Sequence, residues 1–269
     1  MARFGLSALR SLLGRGGTRR TPWQPPEASW SRRFGLGWDS PYTVRYASNL
    51  DDGPDHGMPL GGFGAGCLGR SPSGAFNLWN LDGGEHWFGS IPDCQFALWE
   101  RQGESVRAHA LATAPDRDDS NSNRGRPLSD WQWYPASTQG RSTGTYAARY
   151  PLSWTHFEDV YRADVLCEAF SPILPGDYQR TSYPVAVFRW QFSNPTDQPL
   201  ELSLLLTWRN TVGWFTNTDA AAEVHFRDDG SPEHNYAPAI GRGEGHRNRQ
   251  VDQPGLCGVL LEGQNSQPL

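Results

Sequence analysis

The sequence contains no lysine; all 24 of its basic residues are arginine. Arginine carries a message of its own mainly where it clusters on one surface, and beyond the first twenty residues it is scattered, so the bias reads as compositional. Against 29 acidic residues the net charge is -5, too small to point to nucleic acid or an anionic membrane as a partner. Cysteine is scarce, at Cys67, Cys94, Cys167 and Cys257. No Cys-x-x-Cys pair or neighbouring histidine accompanies them, which argues against a zinc site. Cys94 and Cys167 fall in alternating apolar runs and read as buried free thiols, a pattern that suits a reducing, cytoplasmic compartment. No apolar run is long enough to span a bilayer; the greasiest, Leu202 to Trp208, reads as part of a strand. There is no fixed-period repeat, no P-loop and no Ser/His/Asp set, and the lone Asn-x-Thr match, Asn194-Pro195-Thr196, is barred from glycosylation by its proline.

What is abundant is turn chemistry: 30 glycines and 21 prolines in 269 residues. With short runs of period two, this composition favours many strands over helices. Candidate strands are Ala75 to Trp79, Cys94 to Glu100, Thr145 to Tyr150, Tyr161 to Phe170 and Gly255 to Glu262. In the fourth, Tyr161, Ala163, Val165, Cys167 and Ala169 fall on one face. Two further runs alternate with the same parity, Ala186, Phe188, Trp190, Phe192 and then Leu200, Leu202, Leu204, Leu206, Trp208. With Asn194 to Asp197 between them they read as a wide-turned hairpin sharing one buried face. The expected fold is an all-β, antiparallel two-sheet sandwich with long loops, notably 114–130 and 219–252.

The first 40 residues differ from the rest. Five arginines precede the first acid, Glu27, and Pro22, Pro25 and Pro26 interrupt any helix, so a disordered basic leader is expected over 1–40, with the sandwich over 41–269. Such a leader leaves peripheral contact with a membrane open, although its apolar stretch is too short for a signal-peptide core.

Gly64-Ala65-Gly66-Cys67-Leu68-Gly69 satisfies the GxGxxG pattern. A dinucleotide site needs a helix to start at those glycines, and Pro72 and Gly74 would break it. The segment reads instead as a glycine-rich turn lying close against other backbone.

Three longer motifs carry a family resemblance. SPILPGDYQRTSYPVAVFRW (Ser171 to Trp190) followed by LTWRN (Leu206 to Asn210), MPLGGFGAGCLGRSPSGAFNLWNLDGGEHWFG (Met58 to Gly89) and YPLSWTHFEDVY (Tyr150 to Tyr161) resemble the amino-terminal domain of the non-lysosomal glucosylceramidases and bile-acid β-glucosidases of glycoside hydrolase family 116. The likeness spans roughly residues 41 to 262. Ala75 departs from it, standing where relatives often carry an acid. The resemblance implies hydrolysis of β-glucosides, glucosylceramide-like lipids among them, by a retaining two-carboxylate mechanism. It places both catalytic carboxylates in a following (α/α)6 helical domain, so none is expected in this chain, whose sandwich is expected to be truncated at its C-terminal end. That helical domain, in cis or in trans, is the implied partner, and no cofactor or metal is implied.

Asp82-Gly83-Gly84-Glu85-His86-Trp87 is the most site-like cluster, because acids hydrogen-bond sugar hydroxyls and indoles cover apolar sugar faces. The same residues also read as a plain turn. A place at a pocket rim or domain interface is expected for Asp82, Glu85, His86 and Trp87. Arg209, Asn210 and Trp214 are expected at the interface too, since in the family this loop leads toward the catalytic domain; Arg209 reads equally well as solvated at a strand end. Trp131 and Trp133 in Asp130-Trp131-Gln132-Trp133-Tyr134 fit either a core or a carbohydrate platform. The alternatives to a β-glucosidase scaffold are a free-standing carbohydrate-binding or interaction module and a non-functional fragment of a truncated gene.

Overall fold

The computed structural model describes residues 23–36, 57–83, 86–115, 131–214, 223–226, 230, 232–235 and 245–263. Within them the chain forms β1 (Trp30–Arg33), β2 (Pro59–Leu60), β3 (Cys67–Arg70), β4 (Phe76–Asn80), β5 (Trp87–Phe88), β6 (Gln95–Gln102), β7 (Ser105–Ala110) and β8 (Gly144–Arg149). There follow β9 (Leu152–Phe157), β10 (Asp164–Phe170), a single helical turn α1 (Tyr178–Thr181), β11 (Val187–Ser193), β12 (Glu201–Thr207), β13 (Glu223–Phe226), β14 (Pro232–Asn235), β15 (Arg247–Gln253) and β16 (Leu256–Glu262). Every strand pairing is antiparallel.

Two sheets make the sandwich, a five-stranded one in the order β1-β8-β9-β10-β11 and a three-stranded one in the order β12-β6-β7. A four-stranded sheet, β2-β3-β4-β5, adds Phe76 and Trp79 to the same core, and β13-β14 and β15-β16 are separate two-stranded ribbons. Aromatic side chains lock the two main sheets together: Phe96 on β6 meets Phe188 and Trp190 on β11, with ring centroids 5.2 and 5.0 Å apart. The odd-numbered face of the β10 region points inward as its period requires, and Tyr161, Ala163, Val165, Cys167 and Ala169 are all buried.

The two alternating runs before and after Asn194 do not form the expected hairpin. β11 pairs with β10, placing Trp190 opposite Cys167, whereas β12 pairs with β6, placing Leu204 opposite Leu98. The chain arches from one sheet into the other, and Phe188, Trp190, Leu202 and Leu204 all pack on the shared core. Parity identified the buried face, but a face can be shared across a sandwich as well as within a sheet. The arch is fixed locally: the Asn194 carboxamide accepts from the Thr196 amide at 3.0 Å and donates to the Gln198 carbonyl at 2.7 Å. Leu206, also expected inward, is exposed on this edge strand.

The leader also needs correction. β1 belongs to the five-stranded sheet through Trp30 to Arg33, and the next residue, Phe34, is completely buried against Tyr134 and Phe157. Residues 1–22 lie outside the described part, as do residues 116–130 of the expected loop 114–130 and Gly84 and Glu85. The second supposed loop, 219–252, contains β13, β14 and most of β15.

One cation sits inside the sandwich. Arg70 is buried, with its guanidinium over the rings of Phe96, Phe157 and Trp190 at 5.6 to 5.9 Å, and it donates to the Leu111 carbonyl at 2.8 Å. Desolvation by burial lowers its pKa. An acid is buried too: Glu100 accepts from the backbone N–H groups of Arg162 and Ala163 at 2.8 to 3.0 Å.

Candidate functional site

The glycine-rich segment is a close-packed turn, as read from sequence. Gly66 has φ +76°, and a side chain there would place its Cβ 2.2 Å from the Asn80 carbonyl oxygen. Only glycine combines that backbone with so near an approach. The turn leads into β3, whose neighbour β4 carries Phe76, Leu78 and Trp79 into the core.

Beyond β4 the site-like cluster splits in two. Asp82 and His86 are exposed, and the turn is held by the Gly83 amide, which donates to the Asn80 side chain at 3.2 Å. His86 Nε2 lies 3.9 Å from the Cys67 sulfur. Trp87 goes the other way, almost wholly buried, and meets Trp214 edge-on at 5.8 Å. Trp214 also stacks on Trp79 at 5.8 Å, and the Trp79 indole N–H donates to the Gly89 carbonyl at 2.9 Å. Trp79, Trp87 and Trp214 are thus brought together as structural members of the core.

Arg209 and Asn210 stand at the end of β12 with definite tasks. Arg209 forms an ion pair with Asp93 at 2.6 Å, and its backbone N–H points at the Cys94 sulfur at 3.4 Å. Burial pushes the Cys94 thiol up to about 12, so it stays protonated and unreactive. Asn210 donates to the Glu262 carbonyl at 2.9 Å and accepts from the Val212 amide at 3.0 Å, while His246 bonds the Val212 carbonyl at 2.9 Å. These bonds tie the β15-β16 ribbon to the arm that ends in Trp214. Arg209 is therefore paired rather than solvated.

An acid–base triad at β9 and β10 went unread in the sequence. His156 is buried between Glu158 and Asp164, with Nδ1 3.0 Å from one carboxylate and Nε2 2.6 Å from the other. Burial opposes its charge, but the hydrogen bonds and charges of Asp164 and Glu158 outweigh burial and hold the imidazole above its ordinary range. The ring fills the space between the two carboxylates where a glycoside or a water would have to stand, so this is a structural network. Elsewhere Glu168 pairs with Arg189 and accepts from the Trp154 indole, and Glu201 pairs with Arg101. No group of three metal-ligating side chains occurs among the described residues. None of their helices is long and apolar enough to cross a membrane.

The glycine-rich turn, β4, Trp79 and Trp87 all fall within the Met58–Gly89 motif that carried part of the resemblance. A family model described as "beta-glucosidase 2, glycosyl-hydrolase family 116 N-term" matches residues 57–268. The chain belongs to the N-terminal domain family of family 116 glycosyl hydrolases.

Proposed function

We propose that this domain is the non-catalytic β half of a β-glucosidase acting on β-glucosides, glucosylceramide-like lipids among them, and that it supports a helical catalytic domain carrying the two catalytic carboxylates. The observation that carries this reading is the fate of the acids. A retaining glycosidase needs two carboxyl groups about 5 Å apart facing one glycosidic bond. Here Glu100, Glu158, Glu168 and Glu201 are all committed to backbone amides, a histidine or arginines, and Asp82 is exposed on a turn. The docking end, in this reading, is the corner where Trp214, which follows Arg209 and Asn210, meets Trp87 beside the exposed Asp82 and His86. Inter-domain surfaces of this kind are ordinarily more polar than a core, and this corner combines exposed polar groups with tryptophans anchored beneath them.

The test is release of an aryl leaving group from an aryl β-glucoside, first by the purified chain and then after adding the helical domain of a family member. The chain alone is expected to be inactive, and Arg209→Ala with Asn210→Ala is expected to weaken co-purification with the helical domain. Turnover by the chain alone that disappears in Glu85→Gln would make the sandwich the enzyme.

A further inference from the structure

A sizeable cavity in the described structure lies away from the Asp82 turn. It is a cleft of about 940 Å³ where the start of β6 meets β4, Ser90 to Pro92 and the strap that brings Trp133 alongside β7. Volumes of this size hold small ligands rather than a water or two. The floor carries an anomaly. Gln95 is 2 % exposed, and neither its carboxamide oxygen nor its nitrogen has a hydrogen-bond partner. Buried amides are nearly always satisfied, because an orphaned donor or acceptor forfeits its solvation for nothing in return. A primary amide with both ends unused, lining a cleft, is a donor and an acceptor awaiting a ligand.

The remaining lining defines the ligand's chemistry. Ser73, Ser90 and Thr113 supply hydroxyls, and Trp133 and Phe76 supply aromatic surface. Tyr134 also borders the cleft but is almost wholly buried, with its hydroxyl donating to the carbonyls of Thr143 and Glu158, and the half-buried Trp133 beside it is the more open ring. Among the described lining residues there is no carboxylate and a single cation, Arg32, which donates to the Leu36 carbonyl. Dedicated anion sites converge several cationic groups, and cation sites converge acids; this cleft does neither. A neutral amide beside hydroxyls and an indole matches a neutral polyhydroxylated ligand, whose hydroxyls both donate and accept and whose C–H face stacks on a ring.

We infer that this cleft is a carbohydrate-binding subsite for one or two neutral sugar units, with Gln95 reading ring hydroxyls and Trp133 as the stacking platform. The subsite is independent of any catalytic domain, because all of its named residues belong to this chain. It also assigns Trp133 a role that sequence left open between core and platform.

The full chain is titrated with methyl β-glucoside and with cellobiose, followed by tryptophan fluorescence and by saturation-transfer NMR. Saturable binding is expected, weakened about tenfold or more in Gln95→Leu and in Trp133→Ala, unchanged in Glu201→Ala and not competed by inorganic phosphate. Gln95→Leu removes two unpaired polar atoms, so its melting temperature is expected to equal or exceed that of the wild type, which keeps the binding result interpretable. Absence of saturation up to about 100 mM sugar, unchanged binding in both cleft variants, or competition by phosphate overturns the subsite. A marked fall in melting temperature for Gln95→Leu overturns it as well, by showing that the amide is satisfied within the protein.

Discussion

Strands β10 and β16 are each seven residues long, and by composition the second is the greasier, LCGVLLE against DVLCEAF. Their burial is the reverse. Val165 and Cys167 of β10 are almost inaccessible, whereas Leu256, Val259 and Leu260 of β16 are 41 to 58 % exposed. β10 has neighbours on both edges and an aromatic layer across the sandwich, while β16 has a single partner, β15, whose own sequence RNRQVDQ offers little to pack against. Hydrophobicity makes a strand eligible for the core, and the opposing layer decides whether it is admitted. The ribbon is held instead at one end, by Asn210 on the Glu262 carbonyl and by His246 on the Val212 carbonyl.

The largest way to sharpen this contrast is Trp79→Ala, which removes a fully buried indole that contacts Phe76, Trp208 and Trp214. It is expected to cost about 3–5 kcal/mol in a urea melt, against within about 0.5 kcal/mol for Leu260→Ala on the ribbon. Similar costs at both positions would mean that the ribbon is as well packed as the sandwich. Next comes a pair of acids. Glu100→Ala leaves the buried amide of Ala163 and the partly buried amide of Arg162 without their acceptor and is expected to cost about 1–3 kcal/mol. Glu201→Ala loses only an exposed ion pair with Arg101, expected at under about 1 kcal/mol.

His156 supplies a pH-dependent comparison. The folded chain holds its imidazole charged more tightly than the unfolded chain does, so the stabilisation is complete below the ordinary histidine pKa of about 6.5 and fades as pH rises through the raised folded value. His156→Gln is therefore expected to lose more stability near pH 5 than near pH 9, read as the difference in denaturation midpoint from the wild type at each pH. An equal loss at both would remove the charge from the account. Smallest in global effect is Asn210→Ala. It is expected to leave the main melt nearly unchanged while raising amide hydrogen exchange across β15 and β16, because it cuts the ribbon's tie without touching the core.

The sandwich was legible in sequence wherever one face was cleanly apolar, which is why β4, β6, β8, β10 and β16 were expected close to their actual positions. β9 was missed because LSWTHF buries Ser153, Thr155 and His156 along with Phe157, so its inward face does not look apolar. β7 and β15 were missed for the related reason that their strands are mostly polar and open to solvent. At the candidate site, sequence identified the tryptophans and the exposed polar turn but could not tell a supporting indole from a surface one. Gln95 gave no signal at all: a glutamine opening a strand is commonplace, and only burial without a partner makes it informative.

The arch between β11 and β12 also bears on the order in which the protein can assemble. A hairpin there would have closed a short loop and formed early. Instead, β12 must find β6, where Glu201 meets Arg101, 100 positions away in the sequence. Closing so long a loop costs chain entropy before any pairing energy is gained, and proteins dominated by such distant contacts fold slowly, in milliseconds to seconds. The three-stranded sheet is thus completed only after everything between β6 and β12 has been synthesised. During translation β6, already paired with β7 on one side, has to keep its other edge open until β12 emerges.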